Sequence, residues 1–197
     1  MRCVASERGG TTTFLFSFLF AVLMFAVMQI LASGSYDDTI KLYIDDPSDD
    51  WYCFSTLTGH GSTVWSLAWS LTHGYLASGS DDRTVRIWKR VAAHKWESVL
   101  VLEGHERSVY GVSWGKGNGQ EHVGWLASVG GDGVLRVWDV AERDGTTSAQ
   151  RIAAERASHG VHDANAVSFC ARPGFEHVLA TAGDDGCVVV WEVVETI

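Results

Sequence analysis

The chain contains little proline, little cysteine and few positive charges, and each scarcity excludes a class of protein. Its two prolines are too few for a collagen-like or proline-rich chain. Lys and Arg number 15 against 24 Asp and Glu, so the net charge is −9 and the chain lacks the basic surface of a nucleic-acid-binding protein. The four cysteines form no C-x-x-C pair and no group with metal-ligand spacing, so no metal or other cofactor is predicted. A Gly-rich phosphate loop and a nucleophile elbow are missing as well, which disfavours an enzyme.

Glycine and tryptophan are abundant instead, with 21 and nine copies, and many of them fall in a segment that recurs four times. The copies align without gaps as LASGSYDDTIKLY (31–43), LASGSDDRTVRIW (76–88), LASVGGDGVLRVW (126–138) and LATAGDDGCVVVW (179–191). In each copy two short runs of apolar and β-branched residues flank an Asp-containing turn, which predicts a β-hairpin. Runs such as STVWSLAWS (62–70) before a hairpin and ESVLVL (97–102) after it predict one further strand on each side.

The repeat has a period and end motifs that resemble a known family. The aligned aspartates, which are 45, 50 and 53 residues apart, are Asp37, Asp82, Asp132 and Asp185. A Gly-His pair precedes the second and third copies, and a Trp ends three of the four. This pattern resembles the WD40 repeat, in which each period forms a four-stranded blade of a β-propeller. The resemblance implies an all-β WD40 propeller over residues 29–197, with about 14 strands, or three and a half blades of an expected seven.

The WD40 resemblance also implies a buried hydrogen-bond network in three of the repeats. Its predicted members are His60, Ser78, Asp82 and Trp88, then His105, Ser128, Asp132 and Trp138, then His159, Thr181, Asp185 and Trp191. A Ser–His–Asp set in one place would suggest a hydrolase, but the same set repeated three times in register indicates a structural latch. The last repeat is irregular, because Val167 lies eight residues after His159 where Val64 lies four after His60. His162 is therefore a rival to His159 for the last latch.

The beginning of the chain does not resemble a blade. The segment 14–31 reads FLFSFLFAVLMFAVMQIL, an uncharged apolar run that follows Arg2 and Arg8. A signal peptide or membrane anchor would have this composition, and so would an artefact of gene prediction or a short natural isoform. Because Leu31 is already in register with the repeats, we favour the hypothesis that residues 1–28 are foreign to the fold and replace missing N-terminal blades. A membrane is expected as a partner only if this segment is a genuine anchor.

The sequence between the repeats resembles one WD40 family in particular. The stretch DDTIKLYIDDPSDDWYCFSTLTGH, the segment HKWESVLVLEGH and the ending HGVHDANAV resemble the fungal WD40 subunits of the cytosolic iron–sulfur protein assembly targeting complex, over their C-terminal half. The resemblance implies a non-catalytic scaffold that helps deliver iron–sulfur clusters to cytosolic and nuclear apoproteins. The expected partners are the other subunits of that complex and client apoproteins, and the expected compartments are the cytoplasm and the nucleus. The alternatives are a WD40 adaptor of a ubiquitin ligase or signalling complex and a membrane-anchored propeller fragment.

Partner-binding positions follow from the general resemblance to WD40 propellers. They flank the first valine of a blade or precede the network Asp, and here they are Tyr36, Thr63, Trp65, Asp81, Ser108, Tyr110 and Asp184. Trp65 and Tyr110 are large aromatic residues, which are enriched at the centres of protein interfaces. Both residues would also be suitable for packing between blades, so the two interpretations remain open at this point.

Overall fold

The computed structural model of the chain describes residues 3–8, 11–16, 21–25, 30–45, 50–70, 74–117, 122–156 and 158–194, with side chains from residue 30 onward. Within these residues the chain is built entirely of β-strands, which lie in four sheets. The first sheet contains β1 (Cys3–Arg8), β2 (Thr11–Phe16), β3 (Ala21–Phe25), β4 (Ile30–Gly34), β5 (Ile40–Asp45) and β6 (Trp51–Leu57). No helix in the described part of the chain is long and apolar enough to cross a membrane.

The remaining three sheets follow the repeats of the sequence. The second sheet contains β7 (Val64–Trp69), β8 (Tyr75–Ser80), β9 (Val85–Ala92) and β10 (Lys95–Leu102). The third contains β11 (Val109–Gly115), β12 (His122–Gly130), β13 (Leu135–Arg143) and β14 (Thr146–Glu155), and the fourth contains β15 (Ala164–Phe169), β16 (Val178–Gly183) and β17 (Val188–Glu192). Strands adjacent in sequence pair antiparallel in every one of these sheets. The predicted all-β fold, as part of a propeller, is confirmed.

The first sheet contains strands that the sequence analysis did not predict. β3 pairs antiparallel with β4, which is the position that β7 occupies beside β8 in the second sheet. β1 and β2 form a hairpin, and β1 meets β3 in parallel through Ala5 and Leu23. Without β3 the backbone N–H and C=O groups on one edge of β4 would have no strand to pair with. That residues 1–28 are foreign to the fold stays a prediction.

The hydrophobic core lies between the sheets, where β7 contacts β3 and β4, β11 contacts β7, and β15 contacts β11. Separate clusters of buried residues join each pair of adjacent sheets. Ile40 and Leu76 belong to the cluster between the first and second sheets, Ile87 and Val109 to the next, and Leu179 to the last. Alternate residues of the central strands point into these clusters, as the period of a strand requires.

The register of the last repeat differs from the one predicted. Ala164 pairs with Gly183 as Val64 pairs with Ser80, so Ala164, and not Val167, is the first residue of this blade. The loop before it holds one more residue than its counterpart after His60. A turn closed by the His162 N–H on the His159 carbonyl, at 3.1 Å, accommodates that residue.

Candidate functional site

The His and Asp residues of the three latches lie in loops and turns at one end of the sheets, which we call the latch end. It is formed by the loops and turns at residues 35–39, 58–63, 81–84, 103–108, 131–134, 158–163 and 184–187. In the second sheet His60 Nδ1 lies 2.7 Å from Asp82 Oδ2, and His60 Nε2 lies 2.7 Å from Ser78 Oγ. The indole N–H of Trp88 donates to the same Ser78 oxygen over 2.8 Å. The four predicted residues therefore form one continuous hydrogen-bonded chain.

The electrostatics of this latch determine its protonation state. Burial would raise the pKa of Asp82, but hydrogen bonds from Thr84, Gly61 and His60 outweigh it and lower that pKa to about 2. Burial lowers the pKa of His60, although the Asp82 carboxylate opposes this effect. At neutral pH a neutral imidazole therefore donates its Nδ1–H to an ionised carboxylate. Its Nε2 then accepts a hydrogen bond from the Ser78 hydroxyl, so every polar group of the latch has a partner.

The latch of the third sheet has the same geometry and one extra member. His105 lies 3.0 Å from Asp132 and 2.9 Å from Ser128, whose hydroxyl accepts from Trp138 over 3.3 Å. Arg136, which is buried, donates to Asp132 over 2.9 Å. Burial opposes ionisation of Asp132, but the His105 hydrogen bond and the Arg136 charge hold the pKa of this carboxyl below its usual value.

Sequence reasoning missed Arg136. The signal that was available is the repeated Arg-x-Trp, since Arg86 precedes Trp88 as Arg136 precedes Trp138. Only one of the two arginines contacts the latch carboxylate, because the Arg86 guanidinium reaches Ser98 instead, at 3.4 Å. The aligned motif therefore indicates a cation near the latch and does not tell which carboxylate it pairs with.

The fourth sheet decides between the two histidines that competed for its latch. His159 lies 2.9 Å from Asp185 and 2.9 Å from Thr181, and Trp191 donates to the Thr181 hydroxyl over 3.0 Å. His162 is part of the turn that precedes β15. In the three latches the hydroxyl-bearing residue is at most 1% exposed. That the three sets act as structural latches stays a prediction.

Three sequence repeats, each of which contains one latch, match a family pattern. The pattern described as "WD domain, G-beta repeat" matches residues 51–89, 96–139 and 156–192, which together make up more than half of the chain. The chain belongs to the WD40 repeat family. Each WD40 match ends at or just after the Trp that donates to the latch hydroxyl, so the family pattern and the hydrogen-bond network identify the same units.

Several curated relatives of this WD40 chain are fungal proteins whose names refer to cytosolic iron–sulfur protein assembly. A Chaetomium globosum protein named "Probable cytosolic iron-sulfur protein assembly protein 1" is 31% identical, over 84% of this chain and 46% of the relative. The Saccharomyces cerevisiae "Cytosolic iron-sulfur protein assembly protein 1" is 40% identical, over 75% of this chain and 44% of the relative. A Candida glabrata relative is 41% identical over 73% of this chain. The resemblance drawn from the sequence is confirmed, and the chain spans less than half the length of these relatives.

Three of the predicted partner-binding residues form a row of aromatic rings at the latch end of the WD40 sheets. The ring of Trp65 lies between two tyrosines, with centroid distances of 5.4 Å to Tyr36 and 6.0 Å to Tyr110. Both contacts are edge-to-face, at interplanar angles of 77° and 81°. Each ring comes from a different sheet, and Tyr36 is 54% exposed. We call Tyr36, Trp65 and Tyr110 the aromatic row.

Three further predicted residues lie beside the aromatic row. The Asp81 carboxylate accepts hydrogen bonds from two hydroxyls, that of Ser62 over 3.2 Å and that of Ser108. The Asp81 N–H donates to the Thr63 carbonyl over 2.9 Å. Ser108 comes two residues before Tyr110, and Thr63 comes two residues before Trp65. Asp81 therefore joins the second and third sheets close to both aromatic residues. That these residues bind a partner stays a prediction.

Asp184, the last predicted partner-binding residue, lies in the fourth sheet. It accepts a hydrogen bond from the side-chain amide of Asn165, the residue aligned with Trp65 and Tyr110 by the strand register. The aromatic row therefore ends at the third sheet. In the fourth sheet the Asn165–Asp184 pair occupies the place of the next ring. Among the residues that the structure describes, no group of three or more His, Cys, Asp and Glu side chains could hold a metal ion.

Proposed function

We propose that this chain is the C-terminal part of a WD40 scaffold that acts in cytosolic iron–sulfur protein assembly. The observation that carries the proposal is the similarity to fungal proteins of that name, which covers 84% of the chain in one case and 75% in another. The iron–sulfur clusters are cargo of the machinery in this proposal. The scaffold binds proteins and has no catalytic residues of its own.

The partners we propose are the other subunits of the targeting complex and client apoproteins that receive clusters. The predicted partner-binding residues support a binding surface at the latch end, because aromatic rings from three sheets meet there beside a carboxylate. The latches suit such a role, since they hold the loops that carry these side chains in one geometry. We propose the cytosol as the main compartment and the nucleus as a second one.

The experiment is capture of the endogenous protein with an antibody against the 164–192 region, followed by mass spectrometry of the eluate. We expect iron–sulfur targeting subunits and iron–sulfur apoproteins to co-purify. An eluate that contains ubiquitin ligase or signalling subunits instead would contradict the proposed function. The same eluate tests the prediction for residues 1–28, because peptides from further N-terminal blades would support it and peptides from residues 14–31 in a membrane fraction would overturn it.

A further inference from the structure

The aromatic row lies at an end of the molecule that carries a strong negative charge. The loops and turns of the latch end, together with Arg156, contain ten acidic residues and three arginines. The acidic residues are Asp37, Asp38, Asp81, Asp82, Glu103, Glu106, Asp132, Asp163, Asp184 and Asp185, and the arginines are Arg83, Arg107 and Arg156. Counted with Lys41, Arg86 and Arg136, whose side chains also reach this end, its formal net charge is −4. Such a potential attracts cationic partners and repels nucleic acid.

Internal cations balance only some of these carboxylates. Asp132 pairs with the buried Arg136, and the exposed Asp37 lies 3.8 Å from Lys41. Asp81 is different, because the groups that contact its carboxylate are the hydroxyls of Ser62 and Ser108. Hydroxyl donors carry no positive charge, so they do not neutralise the Asp81 carboxylate beside the aromatic row.

Aromatic faces and carboxylates together select one kind of side chain. A guanidinium binds a ring face through its positive charge and binds a carboxylate through paired N–H donors. The chain itself shows the first contact at the opposite end, where the Arg172 guanidinium lies 4.9 Å from the centre of the Phe175 ring. An acidic segment would bind more weakly, because the carboxylates of this end would repel it. An apolar segment would also bind more weakly, because it would leave those carboxylates without partners.

We propose that the aromatic row and Asp81 bind an arginine-rich extended segment of a partner protein. This inference rests on the proposed function, since it names the chemistry of a partner that the scaffold holds. A guanidinium over Trp65 or Tyr36 places its N–H groups toward the carboxylates of the latch end. The surrounding negative charge accelerates association with the arginine-rich segment, and added salt weakens this attraction.

Fluorescence anisotropy with the full chain tests the proposal. The probe is a fluorescein-labelled peptide of alternating glycine and arginine, and the matched probe replaces each arginine with citrulline, its uncharged isostere. We expect the arginine probe to bind and the citrulline probe to bind at least about tenfold more weakly. Raising NaCl from about 50 to about 300 mM should weaken binding of the arginine probe by a similar factor.

Matched variants test whether the site is the aromatic row. Asp81→Asn and Trp65→Leu should each weaken binding about threefold or more, since each removes one contact with the cation. Asp144→Asn and Phe175→Leu make the same chemical changes at the other end of the molecule and should leave binding unchanged. Asp144 has φ 50°, which asparagine tolerates, and Phe175 is 45% exposed, so both controls should fold. Circular dichroism checks the fold of all four variants.

The inference fails if Asp81→Asn and Trp65→Leu leave probe binding unchanged, and two further outcomes would also overturn it. One is equal loss of binding in Asp81→Asn and Asp144→Asn, which would show attraction to net charge alone. The other is equal binding of the arginine and citrulline probes. Failure of the proposed function is distinguishable, because capture of iron–sulfur targeting subunits does not depend on either probe. If those subunits co-purify while the variants have no effect on probe binding, the scaffold function stands and the arginine site is wrong.

Discussion

The Ser78 hydroxyl shows how much of the latch depends on a single oxygen. It accepts the Trp88 N–H over 2.8 Å and lies 2.7 Å from His60 Nε2, in a site from which water is excluded. Burial makes each of these hydrogen bonds obligatory, because a buried donor or acceptor that loses its partner cannot turn to solvent.

At this residue scale we predict that Ser78→Ala lowers the free energy of unfolding by about 1–3 kcal/mol, because it leaves a buried indole N–H and imidazole nitrogen without partners. Urea unfolding followed by tryptophan fluorescence measures the change. The control is Ser148→Ala, which removes an exposed hydroxyl from β14 and should change stability by less than about 0.5 kcal/mol. Equal effects of the two variants would contradict the proposed role of the latch.

At the scale of the element, glycines set the distance between neighbouring sheets. A Cβ atom at Gly79 in β8 would lie 2.8 Å from Val109 Cγ1 and 3.1 Å from Val112 Cγ1, both in the next sheet. Gly34 in β4 meets Val64 in the same way, at 2.8 Å. The repeated Ser-Gly of LASGS therefore lets the first strand of each following sheet pack closely against the preceding one.

We predict that Gly79→Ala destabilises the protein by about 1–3 kcal/mol through overpacking against β11. Alanine also restricts the unfolded chain more than glycine does, but this raises the free energy of unfolding by only about 0.4–1 kcal/mol, so the clash in the folded state dominates. The matched control is Gly61→Ala, where the nearest atom to the new Cβ is 3.9 Å away and the N–H to Asp82 is retained. Thermal unfolding compares the two variants, and a Gly79→Ala protein as stable as Gly61→Ala would refute the packing argument.

At the scale of the whole molecule, the latches make the stability depend on pH. Burial lowers the pKa of His60 and of His105, so as pH falls below about 6.5 the unfolded state binds protons that the folded state does not. The lowered pKa of Asp82, about 2, stabilises the fold above about pH 4, and that contribution is lost as the pH falls toward 2. Both effects have the same sign.

We therefore predict that the free energy of unfolding is nearly constant between about pH 7 and about pH 9, decreases below about pH 6.5 and decreases more steeply below about pH 4. Urea unfolding across this range measures it. His60→Gln should reduce the decrease between about pH 7 and pH 5, since one buried titrating group is removed. His94→Gln, which replaces an exposed histidine, should leave the decrease unchanged. Identical pH profiles for the two variants would show that the buried imidazole is not responsible.

Most of the fold and of the latches could be predicted from the sequence, because both repeat. Strand alternation, the Asp turn and the final Trp recur in register, so an error in one copy is corrected by the others. Prediction failed where one copy departs from the rest. The loop before β15 holds one extra residue, so the blade begins at Ala164, five residues after His159, and not at Val167 as predicted. A strand ahead of β4 could not be inferred from a segment unlike any repeat.

The sequence by itself determined the all-β class and the repeat boundaries, since hydrophobic period is a local property of the chain. Its resemblance to WD40 repeats implied which residues meet in each latch. Only the tertiary structure decided that Arg136 and not Arg86 pairs with a latch carboxylate. It also decided that His159, and not His162, belongs to the last latch. The three rings of the aromatic row likewise meet only in the folded chain. These contacts join residues of different strands or sheets. Their distances depend on how the sheets pack, which no single repeat encodes.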